Sequence, residues 1–216
     1  MATPTRFTLV LPVQSAPRAK SRLVAPEGVE HDRLARAIVS DALDAVRACP
    51  RVGRRIVVTS DVVIGPGALA AGDDLVPDVG TGLGAAVAAG VARALQLAPE
   101  LPIGVLLVDV PALTPADLTA ALDAAASHPS AFVPDLEGTG TVLLTARAGV
   151  RLAARFGAES ARRHAALGAV RLDLDLPRLR RDVDTTQGLR AAAALGLGPA
   201  TTRALAGARP CAVGSR

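Results

Sequence analysis

The 216-residue chain has no asparagine, tryptophan or tyrosine, and only three phenylalanines and one lysine. Aromatics confined to Phe7, Phe132 and Phe156 leave no stacking platform for nucleic-acid bases, and the arginines are spread along the chain rather than gathered in a stripe. The two cysteines, Cys49 and Cys211, have neither the number nor the spacing of a disulfide framework or a zinc site; they read as free thiols in a reducing cytoplasm. The longest apolar runs, around Val105–Val108 and Ala191–Leu197, fall far short of the roughly 20 residues that cross a bilayer. Met1-Ala-Thr-Pro-Thr-Arg6 lacks the apolar core of a secretory signal. Neither sign of charge dominates: 24 basic and 20 acidic residues leave +4, so a pI near 10.3 reflects arginine rather than a strongly cationic surface. These absences point to a cytoplasmic protein that handles small anions, with no nucleic acid and no membrane as partner.

What is present begins with that one lysine. Composition elsewhere is pushed toward Arg, Ala, Val, Leu and Gly, as genomic base bias would do, so a position that keeps Lys calls for a compact ammonium that the planar guanidinium cannot replace. Lys20 lies in Pro17-Arg-Ala-Lys-Ser-Arg-Leu23, directly after the apolar run Phe7-Thr-Leu-Val-Leu-Pro-Val13. A basic loop leaving the first strand of an α/β domain is where phosphate is held.

With 50% apolar residues the chain can bury a proper core. Strand-like runs at Phe7–Val13, Arg55–Thr59, Asp74–Pro77 and Ile103–Val108 alternate with helical patterns at Glu30–Ala48 and Ala85–Leu97, and at a helix capped by Thr114 that runs to about Ala126. Gly80-Thr-Gly-Leu-Gly84 leads into the second of these helices. Ser130–Pro134 and Thr141–Thr145 flank a Gly-containing turn and predict a hairpin. Helices near 146–155 and 159–167, a strand at 169–174 and a last helical stretch after Asp182-Val-Asp-Thr185 complete the order. The expectation is one α/β domain over 1–216, with a mostly parallel sheet, helices on both faces, an inserted hairpin and frayed tails at about 1–6 and 208–216. Ligands would bind at the carboxyl ends of the strands.

Asp109 falls where the central strand ends, and Pro111 stops that strand. Asp182 and Asp184 are two apart, so an extended segment would turn both carboxylates to one side. Three aspartates and a basic loop describe a Mg–nucleotide site, Mg²⁺ taking few carboxylates and completing its shell with phosphate oxygens and water. The same residues could instead cap a turn and a helix. Glu137-Gly-Thr-Gly-Thr141 reads either as a hairpin turn or as a cradle for an anion; Phe156-Gly-Ala-Glu-Ser160 as a helix end and a new start. Arg162-Arg-His164 reads as a solvated helix face, and His31 and His128 as surface residues.

In this order, Ala19-Lys-Ser-Arg-Leu23, Val108-Asp-Val-Pro-Ala-Leu113, Gly138-Thr-Gly-Thr141, Phe156-Gly-x-x-Ser160 with Arg163-His164, Asp182-Val-Asp-Thr185 and Leu195-Gly-Leu-Gly-Pro-Ala200 resemble the CofC/FbiD family, the guanylyltransferases of deazaflavin coenzyme F(420) biosynthesis. The resemblance covers about residues 7–207. It implies a Rossmann-like nucleotidyltransferase fold of the GT-A/MobA type and transfer of GMP from GTP to a small phosphorylated acid: phosphoenolpyruvate, 2-phospho-L-lactate or 3-phospho-D-glycerate. The Arg- and Ala-rich character looks actinobacterial, and that branch implies phosphoenolpyruvate, with a labile product handed to the next pathway enzyme. By position, Asp109, Asp182 and Asp184 would hold the metal, and Lys20 and Arg22 the GTP phosphates, beside Asp109 in the catalytic set. Pro12, Val13 and Gly82 would lie against the nucleotide, and Gly138, Gly140, Thr141, Gly157 and Ser160 against the acceptor. Gln14 stands where the family has Lys, Gly84 where it has Asn, and Val108 where it has Gly. A molybdopterin or sugar-phosphate nucleotidyltransferase, or a nucleotide-binding relative without turnover, are the alternatives.

Lys20→Ala is expected to abolish nucleotidyl transfer and Lys20→Arg to retain only a little, measured as pyrophosphate release. Wild-type turnover in Lys20→Arg would show the lysine to be incidental.

Overall fold

The computed structural model describes residues 5–15 and 23–206. They build a seven-stranded sheet from β1 (Phe7–Val13), β2 (Val52–Thr59), β3 (Asp74–Pro77), β4 (Ile103–Leu106), β5 (Ser130–Pro134), β6 (Thr141–Ala146) and β7 (Val170–Arg171), in the order β3-β2-β1-β4-β6-β5-β7. β3, β2, β1 and β4 run parallel; β6 lies antiparallel to both β4 and β5, and β7 is parallel to β5. The central strands β1, β4 and β6 are buried along their whole length, and largely apolar, because helices cover both faces. Phe7, Leu9, Leu11 and Val13 pack with α1 (His31–Ala48) and α4 (Pro115–Ala126). Val10, Ile56 and Val58 point the other way, toward α3 (Leu83–Leu97). That helix sits close on the sheet at Gly90, where any Cβ would collide with Val10 and Val58.

Threonine caps mark the starts of two helices. Thr114 caps α4 by accepting from the Asp117 amide at 3.2 Å. Thr185 does the same for α7 (Thr186–Leu195), accepting from Gly188. α5 (Ser160–Ala166) and α6 (Pro177–Arg180) are short connectors on either side of β7.

Three expectations change. Residues 147–159 form no helix: Gly149 turns the chain at φ 76°, and Leu152, Ala154 and Phe156 then pack against the sheet with a period of two, which is extended chain. The strand expected at 169–174 pairs only over Val170–Arg171, although the Leu172 amide still reaches the Phe132 carbonyl at 2.9 Å. A helix not expected, α2 (Ile64–Ala70), forms across Gly65-Pro66-Gly67; the buried Asp61 starts it, its Oδ1 accepting from the Val63 and Ile64 amides. Residues 16–22, and with them Lys20 and Arg22, lie outside the described residues, as do 1–4 and 207–216, which hold most of the expected tails and Cys211.

The C-terminal helices are tied back to the sheet. Val183, Leu189 and Ala192 pack with Leu34 and Ile38 of α1. The buried Asp41 carboxylate, on α1, accepts from the Ala200 and Thr201 amides at 2.8 and 2.7 Å and so caps α8 (Pro199–Leu205) from outside its own sequence. Gly198 is required there, since a side chain would strike Asp41. Asp41→Ala strands two amides beneath α8, and a loss of about 2–4 kcal/mol in urea unfolding is expected, with Asp41→Asn in between. An unchanged midpoint in Asp41→Ala would show that α8 does not depend on this cap.

Candidate active site

The parallel strands end on one rim, and the rim holds a pocket of about 290 Å³. Pro12 and Val13 wall it from the end of β1 and Gln14 from just beyond it, Ser60 from the residue after β2, Asp78 and Gly80 from the loop after β3, and Leu107–Asp109 from the segment that follows β4. Gly82 and Leu83 bring the start of the 15-residue α3 to its edge. Gly82 adopts φ 105°, open to glycine alone without strain, and the first amides of α3 are left uncapped by any side chain. An anion beside them would meet the positive end of the helix dipole. Pro12, Val13 and Gly82 therefore share one wall system. Gln14 is exposed within it, and at Gly84 a Cβ would meet open space, so neither departure from the family residue is forced by packing.

Asp109 and Asp184 also line this pocket, and Asp182 joins them: one carboxylate oxygen from each of the three lies within 4.8 Å of the others. The convergence has a backbone cause. The Val183 amide donates to the Asp109 carbonyl at 2.9 Å, pinning the extended segment across the rim. Val183 is fully buried, so Asp182 and Asp184 project to the opposite side, where Asp109 lies. Burial first, then the charges of Asp109, Asp184, Glu137 and Asp135, push the Asp182 carboxyl up to about 7. A half-buried set of three hard oxygen donors, one of them raised in pKa by burial and by its neighbours' charge, suits Mg²⁺ or Mn²⁺ and is unsuited to softer metals.

Beside the trio stands the hairpin. The Leu107 amide donates to the Val142 carbonyl at 3.0 Å, so Thr141 enters the sheet at the rim where β4 leaves it. The turn is not an open anion cradle. Its Thr139 and Gly140 amides donate to the Asp135 carboxylate at 3.0 and 2.8 Å, and the Gly138 amide to the Asp135 carbonyl. Gly138 (φ 78°) and Gly140, where a side chain would strike Asp135, thus build the turn, and Thr139 and Gly140 have no amide to spare. Arg180 braces it with three hydrogen bonds to the Pro134, Asp135 and Leu174 carbonyls.

Ser160 opens α5, reached through Gly157 at φ 103° and Glu159 at φ 55°, the one non-glycine with positive φ among the described residues. A left-handed glutamate costs conformational energy that a plain connector has no need to carry. The Ala161 amide donates to the Thr139 carbonyl at 3.0 Å, fastening Ser160 against the hairpin. Ser160 and Thr141 are both buried; neither they nor Gly157 line the 290 Å³ pocket. The reading of Arg162-Arg-His164 as a solvated face fails at its last member. Arg162 and Arg163 are exposed, but His164 is fully buried and bonded to Thr141 at 2.9 Å. The i, i+4 spacing from Ser160 to His164 was the available signal that both face inward.

No protein-family model matches the chain. It is 47% identical over 200 residues to the phosphoenolpyruvate guanylyltransferase of Streptomyces coelicolor, covering 91% of this chain and 94% of that protein. In fold it is similar to 4-diphosphocytidyl-2C-methyl-D-erythritol synthase (TM-score 0.61, 17% identity, 89% of this chain and 99% of the other). It is likewise similar to a nucleotidyl transferase from Methanothermobacter thermautotroptrophicus (TM-score 0.55, 18% identity, 88% and 97%). A mostly parallel sheet of this order, with helices on both faces, is the Rossmann-like nucleotidyltransferase fold, and the chain is an enzyme of that class. At this identity and coverage it belongs to the phosphoenolpyruvate guanylyltransferase family. Among the described residues, no helix is long and apolar enough to cross a membrane.

Because the Asp182 carboxyl rises from an ordinary 3.8 to about 7, its ionised form is the costly one in the folded protein. The penalty is absent below pH 3.8, where both states hold the proton, grows as the unfolded chain ionises and is complete above 7. In chelator-treated protein Asp182→Asn should therefore melt higher than wild type at pH 8, with the gap closing toward pH 4. Equal melting temperatures at pH 8 would show that neither burial nor the neighbouring carboxylates penalise the Asp182 charge.

Proposed function

We propose that the protein transfers GMP from GTP to the phosphate of phosphoenolpyruvate, or of 2-phospho-L-lactate as the nearest alternative, and releases pyrophosphate. The observation that carries this reading is the position of the aspartate trio. Asp109 and Asp184 open onto the rim pocket, while Asp182 feels Asp135 and Glu137 of the hairpin turn. Carboxylates so placed lie between a space fit for a nucleotide and the hairpin that carries Thr141. Family membership supports the same substrates.

The reaction needs no activated side chain. An oxygen of the acceptor's phosphate, already ionised at neutral pH, forms a bond to the α-phosphorus of GTP. The bond from that phosphorus to the bridging oxygen breaks, and pyrophosphate leaves with the electron pair, giving enolpyruvoyl-2-diphospho-5'-guanosine. What the chain must supply is alignment of two polyanions and relief of their repulsion. Asp109, Asp182 and Asp184 would hold a divalent cation, Mg²⁺ in the cell, which when bound supplies positive charge between the two substrates. Pro12, Val13 and Gly82 would lie against the nucleotide, with Lys20 and Arg22 on its phosphates. Thr141, Gly157 and Ser160 would contact the acceptor, and Gly138 and Gly140 would shape the turn beside it. The buried Cys49 thiol suits a reducing cytoplasm. The product joins an enol phosphate to a nucleotide through an anhydride, a reason for direct hand-over to the next enzyme of coenzyme F(420) biosynthesis.

Purified protein with Mg²⁺, each nucleoside triphosphate in turn and each phospho-acid in turn should release pyrophosphate fastest with GTP and phosphoenolpyruvate, and mass spectrometry should find the mixed anhydride. Asp109→Asn should lower kcat by a factor on the order of 100 or more while the protein stays folded. Tight GTP binding without pyrophosphate release for any acid would overturn the proposal and leave a nucleotide-binding protein.

A further inference from the structure

The buried pair Thr141–His164 has a polarity that the backbone fixes. His164 Nε2 lies 2.9 Å from the Arg155 amide nitrogen. A peptide N–H can only donate, so Nε2 must present its lone pair. The ring is then neutral with its hydrogen on Nδ1, and burial together with the nearby Arg163 charge, which lower the imidazolium pKa to about 4, keep it so at neutral pH. Nδ1–H also can only donate, and its partner at 2.9 Å is Thr141 Oγ1. The threonine hydroxyl is thereby cast as acceptor toward the histidine, and its own hydrogen must go elsewhere. Among the described residues no other hydrogen bond engages it.

The ring cannot easily turn to reverse this. Phe132 of β5 lies 5.9 Å away between centroids, tilted by 54°, and Phe156 of the extended segment meets it edge-on at 5.2 Å and 73°. These are two of the chain's three aromatics, both spent on one imidazole. An ordinary structural histidine needs its hydrogen bonds filled; this one has both filled, and the result is a buried hydroxyl with one committed lone pair and one uncommitted proton, on the residue with which β6 enters the sheet.

We propose that His164 is a positioning residue that orients the Thr141 hydroxyl as a hydrogen-bond donor to the anionic acceptor, its carboxylate or its phosphate. This rests on the reading that the phospho-acid binds against β6 and α5. A neutral, tautomer-locked imidazole serves that purpose and no proton transfer is asked of it, since the attacking phosphate is already ionised. A donor aimed at an anion favours an acceptor bearing a charged oxygen over a neutral one.

The test is a double-mutant cycle read as the KM for the phospho-acid, the KM for GTP and the melting temperature. Thr141→Val removes the hydroxyl and keeps the shape; it should raise the acid's KM about tenfold and leave that for GTP unchanged. His164→Leu should do the same, and the double variant should be no worse than either single one, because both remove one donor. His164→Asn, whose amide can donate in the place of Nδ1, should recover part of the loss. Long-range ¹⁵N–¹H spectra of the wild type should show His164 as the neutral Nδ1–H tautomer at pH 7, a readout that needs neither turnover nor a variant that folds. The Nε2–H tautomer or an imidazolium at that pH overturns the proposal, as do losses that multiply in the double variant or a parallel rise in the KM for GTP. A wild type that turns over no phospho-acid removes the substrate reading, and this proposal with it; normal wild-type turnover with multiplying losses removes the role of His164 alone.

Discussion

The hydrogen bond from the Val183 amide to the Asp109 carbonyl sets two parts of the chain against each other that would otherwise move apart. Electrostatics opposes the arrangement: three carboxylates meet in a half-buried space, and Asp182 responds by holding its proton up to about pH 7. Chain geometry enforces it, because Val183 is anchored in the apolar layer shared with α1 and the strand alternation leaves its neighbours nowhere else to point. The elements that follow keep that segment in place. Thr185 starts α7 directly after it, the Gly198 amide bonds to the Pro111 carbonyl, and Asp41 holds α8 from beneath. The C-terminal helices thus hold two aspartates where repulsion would not leave them.

What could be read from the residues follows from what each residue experiences locally. Strands covered on both faces must be largely apolar, so β1, the Ile56–Val58 run of β2 and β4 stand out, and a threonine before Pro115 with Asp117 behind it marks the α4 boundary. The aspartate trio was legible because a strand end and a two-residue spacing are both short-range facts. The helix expected at 146–155 was not there, since alanine, leucine and arginine favour helix only where packing does not decide, and here the sheet takes every second residue. α2 was hidden by Gly65-Pro66-Gly67, whose poor propensity is offset by capping from Asp61. His164 was masked by the two arginines before it, and the filled turn by the fact that Asp135 acts across five residues.

Charge around the hairpin turn is handled without a conventional ion pair at its centre. Arg180 directs its three side-chain hydrogen bonds to carbonyls, leaving its positive charge two residues from Asp182 while it braces the hairpin. Arg181 does pair, with Glu137 at 2.9 Å, at the exposed edge of the same turn. Asp73 differs: its buried carboxylate pairs with both Arg47 and Arg55.

The antiparallel placement of β6 has a consequence for how such a protein could change over time. The rim pocket draws on segments scattered from Pro12 to Asp184, so altering it means coordinated change along most of the chain. Thr141, Gly157, Ser160 and His164, by contrast, all fall within one contiguous stretch from β5 to α5, because the hairpin doubles back into the sheet beside β4 instead of crossing over. A duplicated gene could vary that one cassette, or exchange it by recombination, and keep the remainder intact. If the acceptor binds there as proposed, the choice of small acid could change within that cassette while the rim pocket is left as it is.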